Sequence, residues 1–350
     1  MQMILHWVQI PFHEPFRISN GSVAVKDSIV VEVRAGGCTG FGEASPMAGS
    51  FYSVETPESS WEALAGAGQG VPIPPNEPFA SAGLDGARWD LACRRAGQPL
   101  WQRLGSSPRP IPSGVAIGIH DTVEELLERV GRQLAAGYRR VKIKIQPGWD
   151  LQPVRAVRER FGPIDLMVDA NAAYSLRDLA VFQELDRFGL MMYEQPLGRE
   201  ALEEAAELQR QVRTPVCADE SAESLEALER IIALGSARII NIKIQRVGGL
   251  EAARRMHDRA RDAGLPCWLG TMPELGIASA QGLHLATLPG FTFPTDVEAS
   301  ERWYPDDLVD PPLAIDAAGW LHLPAGPGSG FDVNRERLER YTVKRAEFRP

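Results

Sequence analysis

Between residues 114 and 272 seven short apolar runs recur at a steady interval: GVAIGI, VKIKI, LMVDAN, LMMYEQ, VCADES, IINIKI and CWLGTM. The stretches between them carry helical periodicity. DTVEELLERVGRQLAAG, SLRDLAVFQELDRFG, ESLEALERIIALG and LEAARRMHDRARDAG begin with or next to an acidic or polar residue and stop at a glycine. Strand and helix in alternation imply parallel pairing, because neighbouring strands point the same way only if a crossover returns the chain. So many units in succession favour closure into a barrel over an open sheet. A doubly wound dinucleotide fold is disfavoured further, since no GxGxxG follows the early strands.

The flanks differ in character. From Met1 to about Ser45 the pieces HWVQIPF, DSIVVEVRA and CTGFGEA, separated by Gly and Asn turn signals, read as an antiparallel meander. Residues from about Thr56 to Leu104 are helical in pattern, with Leu84, Ala87, Trp89 and Leu91 expected on one buried face. The tail from about Asp307 shows no further strand–helix unit and is expected to pack back on the N-terminal unit.

A length of 350 residues leaves room for a barrel of about 250 residues and a smaller domain. The net charge of −9 argues against a broad basic surface for nucleic acid or anionic membrane, so a small-molecule substrate is expected. MQMILHWVQIPF has no basic n-region, and no segment approaches the roughly 18 apolar residues of a membrane span; a soluble, cytoplasmic protein is expected. Cys38, Cys93, Cys217 and Cys267 form no CxxC pair and read as reduced, buried thiols. The histidines form no HExxH or HxH, so any metal should have oxygen ligands.

Lys144, Asp169, Glu194, Asp219 and Lys243 occupy equivalent places in successive runs, 25, 25, 25 and 24 residues apart. A barrel presents the C-terminal ends of its strands on one face, so this spacing should bring all five side chains around one mouth. Isolated buried charges are costly and three converging carboxylates repel, a conflict that a divalent cation removes. An all-oxygen shell suits magnesium, with manganese as a substitute. Side chains on a strand alternate, so Lys142 shares a face with Lys144, and Asn241 with Lys243. A neighbouring ammonium and partial burial should depress a lysine toward the range of a general base. Glu220, Asn171 and Gln195 are candidates for the surrounding shell, and Met47, Phe51 and Tyr52 for a lid in the loop PMAGSFYSVET. A metal-independent alternative is a lysine Schiff base in a lyase or aldolase, against which the three registered carboxylates argue.

The segments RVKIKIQPGWD, VDANAAY, YEQPL, CADES, NIKIQRVGGLEAARR, LATLPGF and ASERWYPDDL resemble the enolase superfamily. The nearest likeness is to the muconate lactonizing enzyme subgroup, with its o-succinylbenzoate synthases and N-succinylamino acid racemases, over nearly the whole chain. The resemblance implies a (β/α)7β-barrel at residues 106–306 and an α+β capping domain at 1–105, with 307–350 packing back on it. It implies magnesium on Asp169, Glu194 and Asp219, and acid/base roles for Lys144 and Lys243. A substrate carboxylate would then bind magnesium, a lysine would take the α-proton, and the ene-diolate would go on to dehydration, racemization, epimerization or cycloisomerization. Relatives of this kind often assemble, so a homo-oligomer is expected.

Two regions depart from the subgroup's pattern. Ala116 stands where a serine is common, and LGTMPELGIAS, with Met272 and Glu274, replaces a more usual GGM(L)ES(G)IG run. Asp296 and Glu298 keep the spacing of the acidic DxD pair with which dipeptide epimerases hold an ammonium, although exposed loop carboxylates are the plainer reading.

Overall fold

A computed structural model describes residues 1–18, 21–48 and 53–349, without the side chains of 16–18 and 21–22. Seven parallel strands, Gly114–Ile117, Arg140–Lys144, Asp165–Asp169, Tyr193–Glu194, Val216–Ala218, Ile239–Ile242 and Cys267–Leu269, pair in chain order. The sheet curls until its edges are joined by one further segment. Phe291 bridges Cys267 on one side and Thr295 bridges Ser113 on the other, both in parallel. Gly114 N donates to Thr295 O at 2.8 Å and Asp296 N to Leu269 O at 3.0 Å. This closes a (β/α)-barrel whose crossover helices pack their apolar faces on the sheet.

Local chemistry sets the helices. Ser224 caps Leu225–Leu234 by accepting from Ala227 N at 3.1 Å, and Gly235 ends it in the left-handed conformation at φ 65. The stretch SLRDLAVFQELDRFG is less regular than its periodicity suggests. It forms a 3-10 turn at Leu176–Asp178, an α-helix at Leu179–Leu185 and a second 3-10 turn at Asp186–Phe188. Among the described residues no helix is long and apolar enough to cross a membrane.

The chain ends build one antiparallel sheet, in the order Thr342–Phe348, Gln2–Ile18, Gly21–Ala35, Cys38–Ala44. Helix Pro78–Ala96 lies on it, close enough that a Cβ on Gly42 would sit 2.0 Å from Gly83 O. Leu84, Ala87 and Leu91 face this sheet, as their spacing requires. Trp89 does not join them. It packs against the barrel-side core under the Arg103 guanidinium, because it lies two residues from Ala87 and Leu91 and so points off their stripe.

Candidate active site

Register brings the charges together. Lys144 pairs with Asp169 and Asp169 with Glu194 across adjacent strands, and Asp219 and Lys243 lie just beyond the next two strand ends. Lys144 Nζ lies 2.8 Å from Asp169 Oδ2, and Lys243 Nζ 2.8 Å from Asp219 Oδ2. Lys142 Nζ lies 3.2 Å from Glu194 Oε2 and 2.6 Å from Asp296 Oδ2. The five spaced residues thus stand around one mouth, with Lys144 and Lys243 at the two ends of the carboxylate arc. Beneath them Met167, Met192, Cys217, Ile239 and Trp268 fill the barrel interior. The Trp268 indole donates to Cys217 Sγ, and its ring faces the Lys142 ammonium at 4.9 Å and the Arg140 guanidinium at 5.2 Å.

Burial, and then the charge of Asp169, pushes the Glu194 carboxyl up to about 8. Asn241 Nδ2 donates to Glu194 Oε1 at 2.9 Å. The buried Oε2 has no hydrogen bond, although the Lys142 ammonium is near it in a direction unsuited to one. Burial opposes ionisation of Asp169 too, but Lys144 and Lys142 outweigh it and hold this carboxyl below its ordinary value. Arg246 and Lys243 do the same for Asp219. Lys142, the ammonium that neighbours Lys144, is not itself depressed in basicity. Burial acts in that direction, yet Asp296, Glu194 and Asp169 hold its ammonium well above the usual value.

The surrounding shell is bonded and locally strained. Asn171 accepts from the Lys144 ammonium and donates from Nδ2 to Glu220 Oε1 at 3.2 Å. Asn171, Ala172 and Gln195 adopt positive φ of 40, 61 and 37, which costs a non-glycine residue about 1–3 kcal/mol and is concentrated at functional sites. The Gln195 amide is fully used: Oε1 accepts from Asp219 N and Ser221 N, each at 3.0 Å, and so holds the backbone that carries Asp219.

Asp296 and Glu298 line the pocket but are not exposed loop carboxylates. Arg140 Nη2 donates to Asp296 Oδ1 at 2.7 Å, while Lys142 takes Oδ2. Ala116 N donates to Glu298 Oε1 at 3.0 Å, and Arg302 Nη1 lies 2.8 Å from Oε2. Glu274 lines the same pocket, its carboxyl raised to about 8 by burial and by Glu43. Met272 is not brought there. Its side chain is buried in the capping core, since its strand-end position turns it toward that sheet. Met47 is buried, and Phe51 and Tyr52 lie outside the described residues.

Sequence reasoning missed Arg140, Arg246, Tyr304 and Asp307. Arg140 was readable, because it precedes Lys142 by two residues on the same strand face. Arg246, one helical turn after Lys243, pairs with Asp219. Tyr304 and Asp307 reach the pocket from the chain after the last barrel segment, and no periodic signal marks them.

The family model described as "Enolase C-terminal domain-like" matches residues 125–337. An o-succinylbenzoate synthase of Geobacillus kaustophilus is 41% identical over 97% of this chain and 95% of its own length. The chain belongs to the enolase superfamily. An N-succinylamino acid racemase of Amycolatopsis sp is 40% identical, over 88% of each chain. Among solved structures, a dipeptide epimerase of Enterococcus faecalis V583, complexed with Mg and the dipeptide L-Leu-L-Tyr, superposes with a TM-score of 0.88. That match has 27% identity and covers 95% of this chain and 99% of that one.

Members of this superfamily typically bind magnesium, and the residues here fit such an ion in chemistry. Asp169, Glu194 and Asp219 supply only oxygen, and Glu194 keeps a buried oxygen without a hydrogen bond. A Cβ on Gly270 would lie 2.2 Å from Asn241 Oδ1, so this glycine leaves the space from which Asn241 orients Glu194. As they stand, no three acidic, histidine or cysteine side chains among the described residues are drawn together around an ion position. The oxygens of Asp169 and Asp219 are instead engaged by Lys144, Lys243 and Arg246.

Proposed function

We propose that this protein removes a proton α to a carboxylate through an ene-diolate, as an o-succinylbenzoate synthase-like dehydratase or an N-acylamino acid racemase. The observation that carries the reading is the arc in which Lys144 and Lys243 flank Asp169, Glu194 and Asp219 at one barrel mouth. Magnesium on those carboxylates would supply the positive charge that the two ammonium groups supply without it, and would polarise a bound substrate carboxylate. Lys144 and Lys243 then address opposite faces of one carbon, one taking the α-proton and the other able to return one. Asn171 orients Lys144, and Trp268 with its apolar neighbours keeps water from beneath the lysines.

The likeness to o-succinylbenzoate synthases and N-succinylamino acid racemases supports these two fates over dipeptide epimerization. A further reason lies in Asp296, whose single negative charge is already shared by Arg140 and Lys142, so that a substrate ammonium would compete with two buried cations for it. The test is proton NMR in deuterium oxide with magnesium on N-acylamino acids, dipeptides and the o-succinylbenzoate precursor, comparing the protein with Lys144→Ala. Metal-dependent α-proton exchange that in the variant vanishes, or survives only slowly and with one enantiomer, supports the reading. No exchange with any member, or exchange that survives EDTA, sinks it.

A further inference from the structure

The outer edge of strand Cys38–Ala44 pairs with side chains of other elements instead of another strand. Phe41 N donates to Asp90 Oδ2 at 3.0 Å, and Phe41 O accepts from Gln281 Nε2 at 2.9 Å. Glu43 O accepts from Gln245 Nε2 at 2.9 Å, and Ser45 N donates to Gln245 Oε1 at 3.1 Å. Alternate residues of this edge are therefore held by Gln245, which follows Lys243 by two positions, and by Gln281 on helix Gly276–Leu285.

The Glu43 side chain adds a second connection. That helix has no side-chain cap of its own, since its N-cap residue is Leu275. Glu43, more than two hundred residues earlier, accepts from Leu275 N through Oε1 at 2.9 Å and from Ala278 N through Oε2 at 3.0 Å. Ser28 and Ser45 hydroxyls hold Oε1 from the cap side at 2.9 and 2.6 Å. A carboxylate from the capping sheet thus closes the start of the barrel helix that follows Glu274 and carries Ser279, both of which line the reaction pocket.

We infer that Glu43, with Gln245, is a positioning residue: through it the capping sheet sets the pocket wall that bears Glu274 and Ser279. None of the hydrogen bonds that the Glu43 carboxylate makes reaches Asp169, Glu194 or Asp219. Substrate fit and metal affinity should therefore separate when it is cut. The kinetic part rests on the ene-diolate reading, and the exchange part does not.

The test is Glu43→Gln, which keeps the shape but turns one acceptor into an N–H donor aimed at backbone N–H groups. Hydrogen–deuterium exchange should accelerate in residues 271–285 by about ten- to a hundredfold, the factor a lost hydrogen bond to a charged group commands, while 166–171 stays protected. KM should rise by a similar factor, with Mn2+ affinity, read by EPR without substrate, left as it was. Unchanged protection of 271–285, or Mn2+ affinity falling in step with KM, overturns the inference. If the amide variant does not fold, Ser45→Ala removes the cap-side hydroxyl that holds the Glu43 carboxylate and is read in the same way. A parent protein without activity on any substrate speaks against the ene-diolate reading alone, because the exchange measurement still judges the clamp.

Discussion

The ammonium of Lys142 and the carboxylate of Asp296, 154 positions apart in the chain, meet at 2.6 Å beneath the barrel mouth. Arg140 holds the other oxygen, so this one carboxylate pairs with two buried cations across the joint where the barrel closes. Asp296→Asn leaves those cations facing a neutral amide. A loss of about 3–5 kcal/mol in urea unfolding is expected. A change within about 1 kcal/mol would mean that water or Glu194 takes over the pairing.

For the lysines, exchange rates with each enantiomer of an N-acylamino acid separate the roles. Lys144→Ala and Lys243→Ala should each lower turnover by about 10²–10⁴. In a racemase each variant should keep slow exchange with the enantiomer whose proton faces the remaining lysine. Full turnover by either variant would remove that lysine from the reaction.

Metal binding can be read without activity. Magnesium at a hundred times its Kd should stabilise the protein by about 2.7 kcal/mol, seen as a rise in Tm reversed by EDTA. Gly270→Ala pushes a methyl toward Asn241 Oδ1 and should loosen its hold on Glu194. A fall in metal affinity of about 10–100-fold is expected by calorimetry, and unchanged affinity would separate Asn241 from the metal site.

Acid stability should depend on His284. Its Nε2–H donates to Ser329 O at 2.9 Å and its Nδ1 accepts from Trp101 N at 3.1 Å, so the neutral ring satisfies both partners. Burial lowers its pKa from 6.5 to about 4. The folded value being depressed, the unfolded chain takes up the proton first. The contribution is therefore present above 6.5 and is lost as pH falls toward 4, by about 3 kcal/mol. His284→Gln should flatten the fall in unfolding free energy between pH 7 and 4.5. An equally steep fall in the variant would assign the acid lability to other groups.

Much of this architecture was determined by local sequence. Alternating runs and amphipathic stretches dictate a parallel strand–helix repeat, because period-2 and period-3.6 patterns each bury one face only in their own conformation. The equal spacing of Lys144, Asp169, Glu194, Asp219 and Lys243 already implied one mouth, since strand ends of a barrel share a face. Tertiary structure alone decided what each charge meets. Asp296 and Glu298 look like loop carboxylates until barrel closure buries them against Arg140, Lys142, Arg302 and the Ala116 amide. The same holds for the high basicity of Lys142, the turning of Met272 into the cap and the capping of helix Gly276–Leu285 by Glu43. The physical reason is common to all of them. Periodicity reports which face of an element is buried, whereas pairing energies depend on partners from other elements, many of them more than a hundred residues away, which only the closed fold brings within a few ångströms.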